Sequence, residues 1–212
     1  MKERPILFSA PMVRALLAGT KTQTRRPLRD GTWLDPKEGV IRMCSAGPAT
    51  TGFQRVPCPY GQPGDRLWVR ETWAPHFIYE GIKPADIPID GGSCLFYRAD
   101  DGIVGGCTAS QRAKSWRPAI HMPRAASRIT LEVVGVRVER LQDISEADAI
   151  AEGVDRFPGC RQDDDAAAFN RIGPVDNDSF PIARYAVLWE QINGTGSWDA
   201  NPWVWVVEFK AC

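Results

Sequence analysis

Seventeen prolines and nineteen glycines are spread through 212 residues, and they limit what the chain can fold into more than its charge does. Turn formers at that density interrupt long helices and favour short strands joined by irregular connections. The stretches that escape them carry the architecture. The strongest is residues 127–141, where Ile129, Leu131 and Val133 keep one parity and Val134, Val136 and Val138 the other. The slip of phase falls beside Gly135, which predicts a β-bulge and a strongly bent strand. Strands bent in this way close small barrels.

Other elements follow in order. Residues 5–8 form a short apolar run ending at Ser9, a good N-cap, with Pro11 tolerated in the first helical turn. Met12, Val13, Leu16 and Leu17 then share a face, and Gly19 ends the helix. Strands are expected at 66–73, 94–98 and 203–209. Ser145-Glu146-Ala147-Asp148 opens a short helix that stops at Glu152-Gly153. Pro181 starts another, whose Tyr185, Leu188, Trp189 and Ile192 share a face.

Between these elements lie insertions near 27–63, 74–93, 100–115 and 155–180, the first with a short hairpin around Trp33 and residues 40–42. The acidic run Asp163-Asp164-Asp165 reads as a solvated loop. No repeat and no clean linker divides the sequence, so one α+β domain over 1–212 is expected.

Lysine plus arginine and aspartate plus glutamate both number 26, so no global basic field gathers duplex nucleic acid. Any nucleic-acid role therefore rests on a local patch. No apolar run approaches the ~20 residues of a membrane span, and the N-terminus lacks the apolar core of an export signal. The expectation is a cytoplasmic protein with no membrane partner. Six cysteines include no C-x-x-C pair, and Cys44, Cys58, Cys94 and Cys107 match no standard zinc spacing. Free thiols, no metal and no cofactor are expected.

The densest polar stretch is Gly19-Thr20-Lys21-Thr22-Gln23-Thr24-Arg25-Arg26. A lysine, threonines and paired arginines beyond a helix end suit a phosphate, a carboxylate or a polar base edge. On the strand at 66–73, Arg70 shares parity with Trp68, which suits an aromatic-plus-cation platform. Glu71 has the parity of Leu67 and Val69, so it either meets water at the strand end or is a buried partner for an arginine. Trp73 and Trp116, beside loops, are the candidates for stacking on a base, whereas Trp189, Trp203 and Trp205 suit core packing. Two histidines, His76 and His121, spell no triad and no metal site.

The pattern Gly19-x-Lys21-x-x-Thr24-x-Arg26, a Gly64-Asp65 turn before a strand, and a Glu152-Gly153 helix end together resemble the ASCH domain. That domain belongs to the PUA-like superfamily of small barrels associated with RNA. The likeness covers roughly residues 4–26, 63–73, 94–99, 127–154 and 181–210. The whole chain is also similar to ASCH-like proteins of phages and prophages, through residues 67–73 and 198–203. The resemblance implies a small, mostly β PUA-like barrel with flanking helices that handles RNA or a modified nucleoside. Some small members remove the acetyl group from 4-acetylcytidine. Matched by motif, their lysine, threonine and glutamate are Lys21, Thr24 and Glu152.

Amide hydrolysis needs a nucleophile, an acceptor for its proton and a donor for the leaving amine. Thr24 suits the first role, Lys21 with a lowered pKa the second, and Glu152 the third. Thr22, Arg25, Arg26, Arg70, Trp73 and Trp116 are the candidate binding residues. A Lys21–Glu152 structural ion pair, a non-catalytic RNA-binding module and a ribonuclease acting on single-stranded RNA remain open alternatives at this point.

Overall fold

The computed structural model describes residues 1–29, 32–35, 40–44, 53–154 and 180–212. It is an α+β protein made mostly of strands, with three α-helices among the described residues. Two compact units are present, each assembled from separated stretches of chain. Unit 1 comprises Met1–Gly19, Gly64–Val133 and Lys210–Cys212; unit 2 comprises Thr20–Pro63 and Val134–Phe209. The chain crosses between them several times, so no single linker is there to be read.

In unit 1, β1 (Glu3–Leu7) pairs parallel with β6 (Arg66–Arg70), which pairs antiparallel with the start of β10 (Thr130–Arg140). Helix α1 (Ala10–Leu17) follows β1 as expected, with Pro11 in its first turn. Met12, Val13 and Leu16 are buried. Gly19 closes the turn at φ +72°, a conformation that costs an L-residue about 1–2 kcal/mol. Leu17 departs from the expected face and is 49% exposed.

The strand expected over 66–73 ends at Arg70, and a separate strand β7 (Trp73–Pro75) begins a second sheet with β8 (Leu95–Tyr97) and β9 (Gly102–Val104). Strand β9 lies inside a segment expected to be loop. Its pairing with β8 brings Cys94 and Cys107 together as a disulfide, Cα atoms 6.0 Å apart. This corrects the expectation of free thiols there. The cause is tertiary: the Leu95↔Val104 pairing holds Cys94, one residue before Leu95, near Cys107, three residues after Val104. Cys58 and Cys212 stay as thiols. No cluster of metal-ligating residues occurs among the described residues.

Unit 2 contains β2 (Gln23–Pro27), antiparallel to β11 (Trp203–Ala211), which neighbours β10. The hairpin expected near Trp33 is present as β3 (Thr32–Asp35) and β4 (Val40–Cys44), with a third strand, β5 (Phe53–Arg55), beside it. Ser145 caps α2 (Glu146–Ala151) by accepting from the Asp148 backbone N–H at 3.1 Å. Helix α3 (Phe180–Asn193) buries Ala183, Tyr185, Ala186 and Trp189. Tyr185 and Trp189 share a core with Leu141, Ile144, Ala149, Val204 and Val206. Trp205 is buried as expected, while half-buried Trp203 carries the Arg140 guanidinium 4.4 Å from its ring centroid.

The sheets are open, and no barrel closes among the described residues. No described helix is long and apolar enough to cross a membrane. The acidic run at 163–165 lies outside the described residues.

Candidate functional site

After Gly19 the chain runs along the C-terminal end of α2 and then becomes β2. Lys21 and Glu152 form an antiparallel bridge, and Thr22 donates its backbone N–H to the Ala151 carbonyl at 2.8 Å. The last carbonyls of a helix have no partner within the helix. Lys21 supplies one: its Nζ donates to the Glu152 carbonyl and to Glu152 Oε2, both at 2.8 Å. A cation at a helix C-terminus also meets the favourable end of the peptide dipoles. Gln23 repeats the arrangement one turn earlier, donating from Nε2 to the Asp148 carbonyl at 2.9 Å.

Arg25 has the same parity as Lys21 and Gln23, and its guanidinium meets three carboxylates. Its Nη1 lies 3.3 Å from Glu152 Oε1, and its Nη2 lies 2.5 Å from Glu139 Oε1 and 3.2 Å from Asp148 Oδ2. From the far side Arg137 reaches Glu139 Oε2 at 2.9 Å and Asp148 Oδ1 at 3.0 Å, and it also pairs with Glu208. The Arg25 guanidinium lies 5.8 Å from the Tyr185 ring centroid. Three cations thus interleave with four carboxylates, and the Lys21 and Arg25 side chains are fully buried.

Burial pushes the Lys21 ammonium below its ordinary 10.5; Glu152 opposes that push, and the charges of Arg26 and Arg25 add to it. Burial alone would raise the Asp148 carboxyl, but Arg25 and Arg137 outweigh it and hold the group below its ordinary 3.8. Burial and the Glu152 charge raise the Tyr185 hydroxyl well above 10.0.

The structure therefore brings together two of the three expected catalytic residues, Lys21 and Glu152. Thr24 is buried on the same strand, but the pleat alternates side chains between faces, so it has the opposite parity to Gln23 and Arg25. Arg25 lies inside the network and is not a surface phosphate clamp, because three carboxylates surround its guanidinium. Arg26 is half-buried and Thr22 exposed.

The remaining candidates belong to unit 1. Arg70 does sit on Trp68, 4.6 Å from the ring centroid, though the indole is only 8% exposed. Trp73 is a correction: it is fully buried with Ile87, Leu95, Tyr97 and Met122, so its ring has no face for a base. Trp116 is half-buried and borders a cleft. Glu71 resolves its two readings as a buried partner, holding Arg128 through both oxygens at 2.9 and 3.0 Å.

Glu139, Asp148, Arg137 and Glu208 escape sequence reasoning. One signal was available: Arg137 and Glu139 share a parity on β10, which sets a cation beside a carboxylate on one face. No family model, curated protein or solved structure matches the chain.

Proposed function

We propose that this chain is an ASCH-like, PUA-like protein that handles RNA or a modified nucleoside, and that it hydrolyses the amide of an N-acylated cytidine at Lys21 and Glu152. The observation that carries this reading is the buried Lys21–Glu152 pair at 2.8 Å, whose ammonium burial pushes toward the neutral form. A lysine whose ammonium is disfavoured can serve as a general base.

In this reading neutral Lys21 takes the proton of an attacking hydroxyl as oxygen bonds to the acyl carbon. The C–N bond then breaks, its electron pair going to nitrogen, and Lys21 returns the proton it took to the departing amine, directly or relayed through Glu152. The products are cytidine and acetate. The parity of Thr24 favours water as the attacking group. A Thr24→Val variant that keeps turnover supports water, and one that loses turnover while folded supports an acyl-threonine intermediate.

The test is incubation with 4-acetylcytidine and chromatographic detection of cytidine. Turnover by the wild-type chain and its loss in Lys21→Ala and Glu152→Gln variants that stay folded are expected. No cytidine from folded wild-type protein would overturn the hydrolase reading.

A second reading, a non-catalytic binding module, is favoured by the saturation of the network. Every acidic group named there already holds a cation. It predicts binding to single-stranded RNA that weakens with salt and with Arg26→Ala, and no product.

A further inference from the structure

Unit 1 contains a cleft of about 290 Å³ walled by a turn carrying Glu80, Gly81 and Pro84 and by a segment carrying Trp116, Pro118 and His121. The volume sits at the lower edge of the ~300–1,000 Å³ typical of small-molecule sites, so it suits one ring system rather than an extended ligand. Gly81, one of the lining residues, has φ +80°, a conformation that favours glycine.

The lining combines the Trp116 indole with the Glu80 carboxylate, the His121 imidazole and the Arg117 guanidinium, whose Nη2 donates to the Tyr79 carbonyl at 2.9 Å. The Trp116 indole is fixed before any ligand arrives. Arg112 lies 4.4 Å from its ring centroid, and it packs against the buried cluster of Ala74, Phe96 and Ala113. A ring already held in place loses little freedom on stacking. Glu80 is fixed as well: it accepts the Lys114 backbone N–H at 2.6 Å, and a bond from the Ser115 hydroxyl holds its carboxyl below the ordinary 4.5. A carboxylate has about four acceptor positions; the Lys114 and Ser115 backbone N–H groups and the Ser115 hydroxyl take three, which leaves one for a ligand.

We propose that this cleft binds a single nucleobase bearing an exocyclic amino group, stacked against Trp116 with its amino N–H directed to Glu80. The choice of a nucleobase among planar donors rests on the nucleoside-handling reading above. The size of the cleft, its aromatic surface and its charged lining do not.

The test titrates the full-length ¹⁵N-labelled protein with adenosine, with uridine and with a short oligoadenylate, following the assigned Trp116 indole N–H and the backbone amides of the residues that line the cleft. Adenosine is expected to shift that resonance, and uridine, which lacks the amino group, to bind several-fold more weakly. If the oligoadenylate binds much more tightly than adenosine, the natural source is a strand; equal binding points to a free nucleoside. Trp116→Leu, which keeps an apolar side chain against the cluster, is expected to lower affinity by roughly 5- to 150-fold, the range found when a stacking aromatic is removed. Glu80→Gln is expected to erase the preference for adenosine over uridine.

No movement of the Trp116 resonance at millimolar adenosine or oligoadenylate would overturn the proposal. Unchanged affinity in folded Trp116→Leu protein would do the same. Adenosine binding that survives Lys21→Ala while 4-acetylcytidine stays intact in wild type would sink the hydrolase alone. Turnover with an unresponsive Trp116 would sink the cleft alone.

Discussion

At the scale of single residues, the decisive balance is between the cost of burying Lys21, Arg25 and Glu152 and the pairing that offsets it. A charge taken out of water is costly unless it is paired and hydrogen-bonded, and these three are. Lys21→Met leaves Glu152 with Arg25 at 3.3 Å as its remaining named cation. We predict a loss of about 3–5 kcal/mol, the usual cost of breaking a buried pair from one side, read from the urea midpoint. The double variant Lys21→Met, Glu152→Leu should lose less than the sum of the singles, which a double-mutant cycle measures.

Asp148 supplies a pH signature. Its folded pKa lies below the ordinary 3.8, so its stabilisation is complete above that value and is lost as pH falls through the folded value. Wild type should therefore lose this contribution on acidification below 3.8, and Asp148→Asn should flatten that limb of the stability profile. Equal acid profiles for the two proteins would show that Asp148 is not held by its arginines.

Among elements, β10 and the β8–β9 hairpin each contain a glycine whose missing side chain would be crowded, with different consequences. A Cβ on Gly135 would lie 2.6 Å from Glu208 Oε2, the far end of a flexible and partly exposed side chain. That carboxylate can turn away, giving up its pairing with Arg137. Partly exposed pairs are worth about 0–1 kcal/mol, so Gly135→Ala should cost no more than that. Gly105 has φ +91°, and its Cβ would lie 2.5 Å from the Ser93 carbonyl oxygen. Backbone cannot step aside. Gly105→Ala should cost at least the ~1–2 kcal/mol of the left-handed conformation, plus the collision. Thermal melts of the two variants side by side check the order.

For the molecule as a whole, each unit contains a buried cluster of its own, around Trp73 in unit 1 and around Trp189 in unit 2, so local opening can be followed in each. The Cys94–Cys107 disulfide closes a short loop within unit 1, with a sequence separation of 13. Loops of that size gain about 3 kcal/mol by restricting the unfolded chain. Reduction should lower hydrogen-exchange protection of β8 and β9, whereas Lys21→Met should lower it for β2 and α2. Mass spectrometry should show Cys94 and Cys107 alkylated only after reductant is added. Such bonds persist in oxidising surroundings. Alkylation of both without reductant, in protein kept from reducing agents, would show that the bond does not form.

How much of this was legible follows from which forces are local. Helix α1, its stop at Gly19, the cap at Ser145, the stop at Glu152-Gly153 and the long β10 were readable because capping and periodicity act over a few residues. The Trp68–Arg70 pairing was readable for the same reason, being one strand parity. By itself the sequence determined these elements; the pairing of Lys21 with Glu152 was one of several alternatives it left open, and the structure shows it. The tertiary structure decided what surrounds them. Arg25 became a buried hub because β2 lies where Glu139 of β10 and Asp148 of α2 converge on it, 114 and 123 residues away in sequence. Trp73 was buried because β8 pairs with β7, and Cys94 met Cys107 because β9 pairs with β8. Long-range pairings depend on register and loop closure, which no local pattern encodes. They separate a basic turn suited to a ligand from the satisfied charge network that residues 19–26 enter.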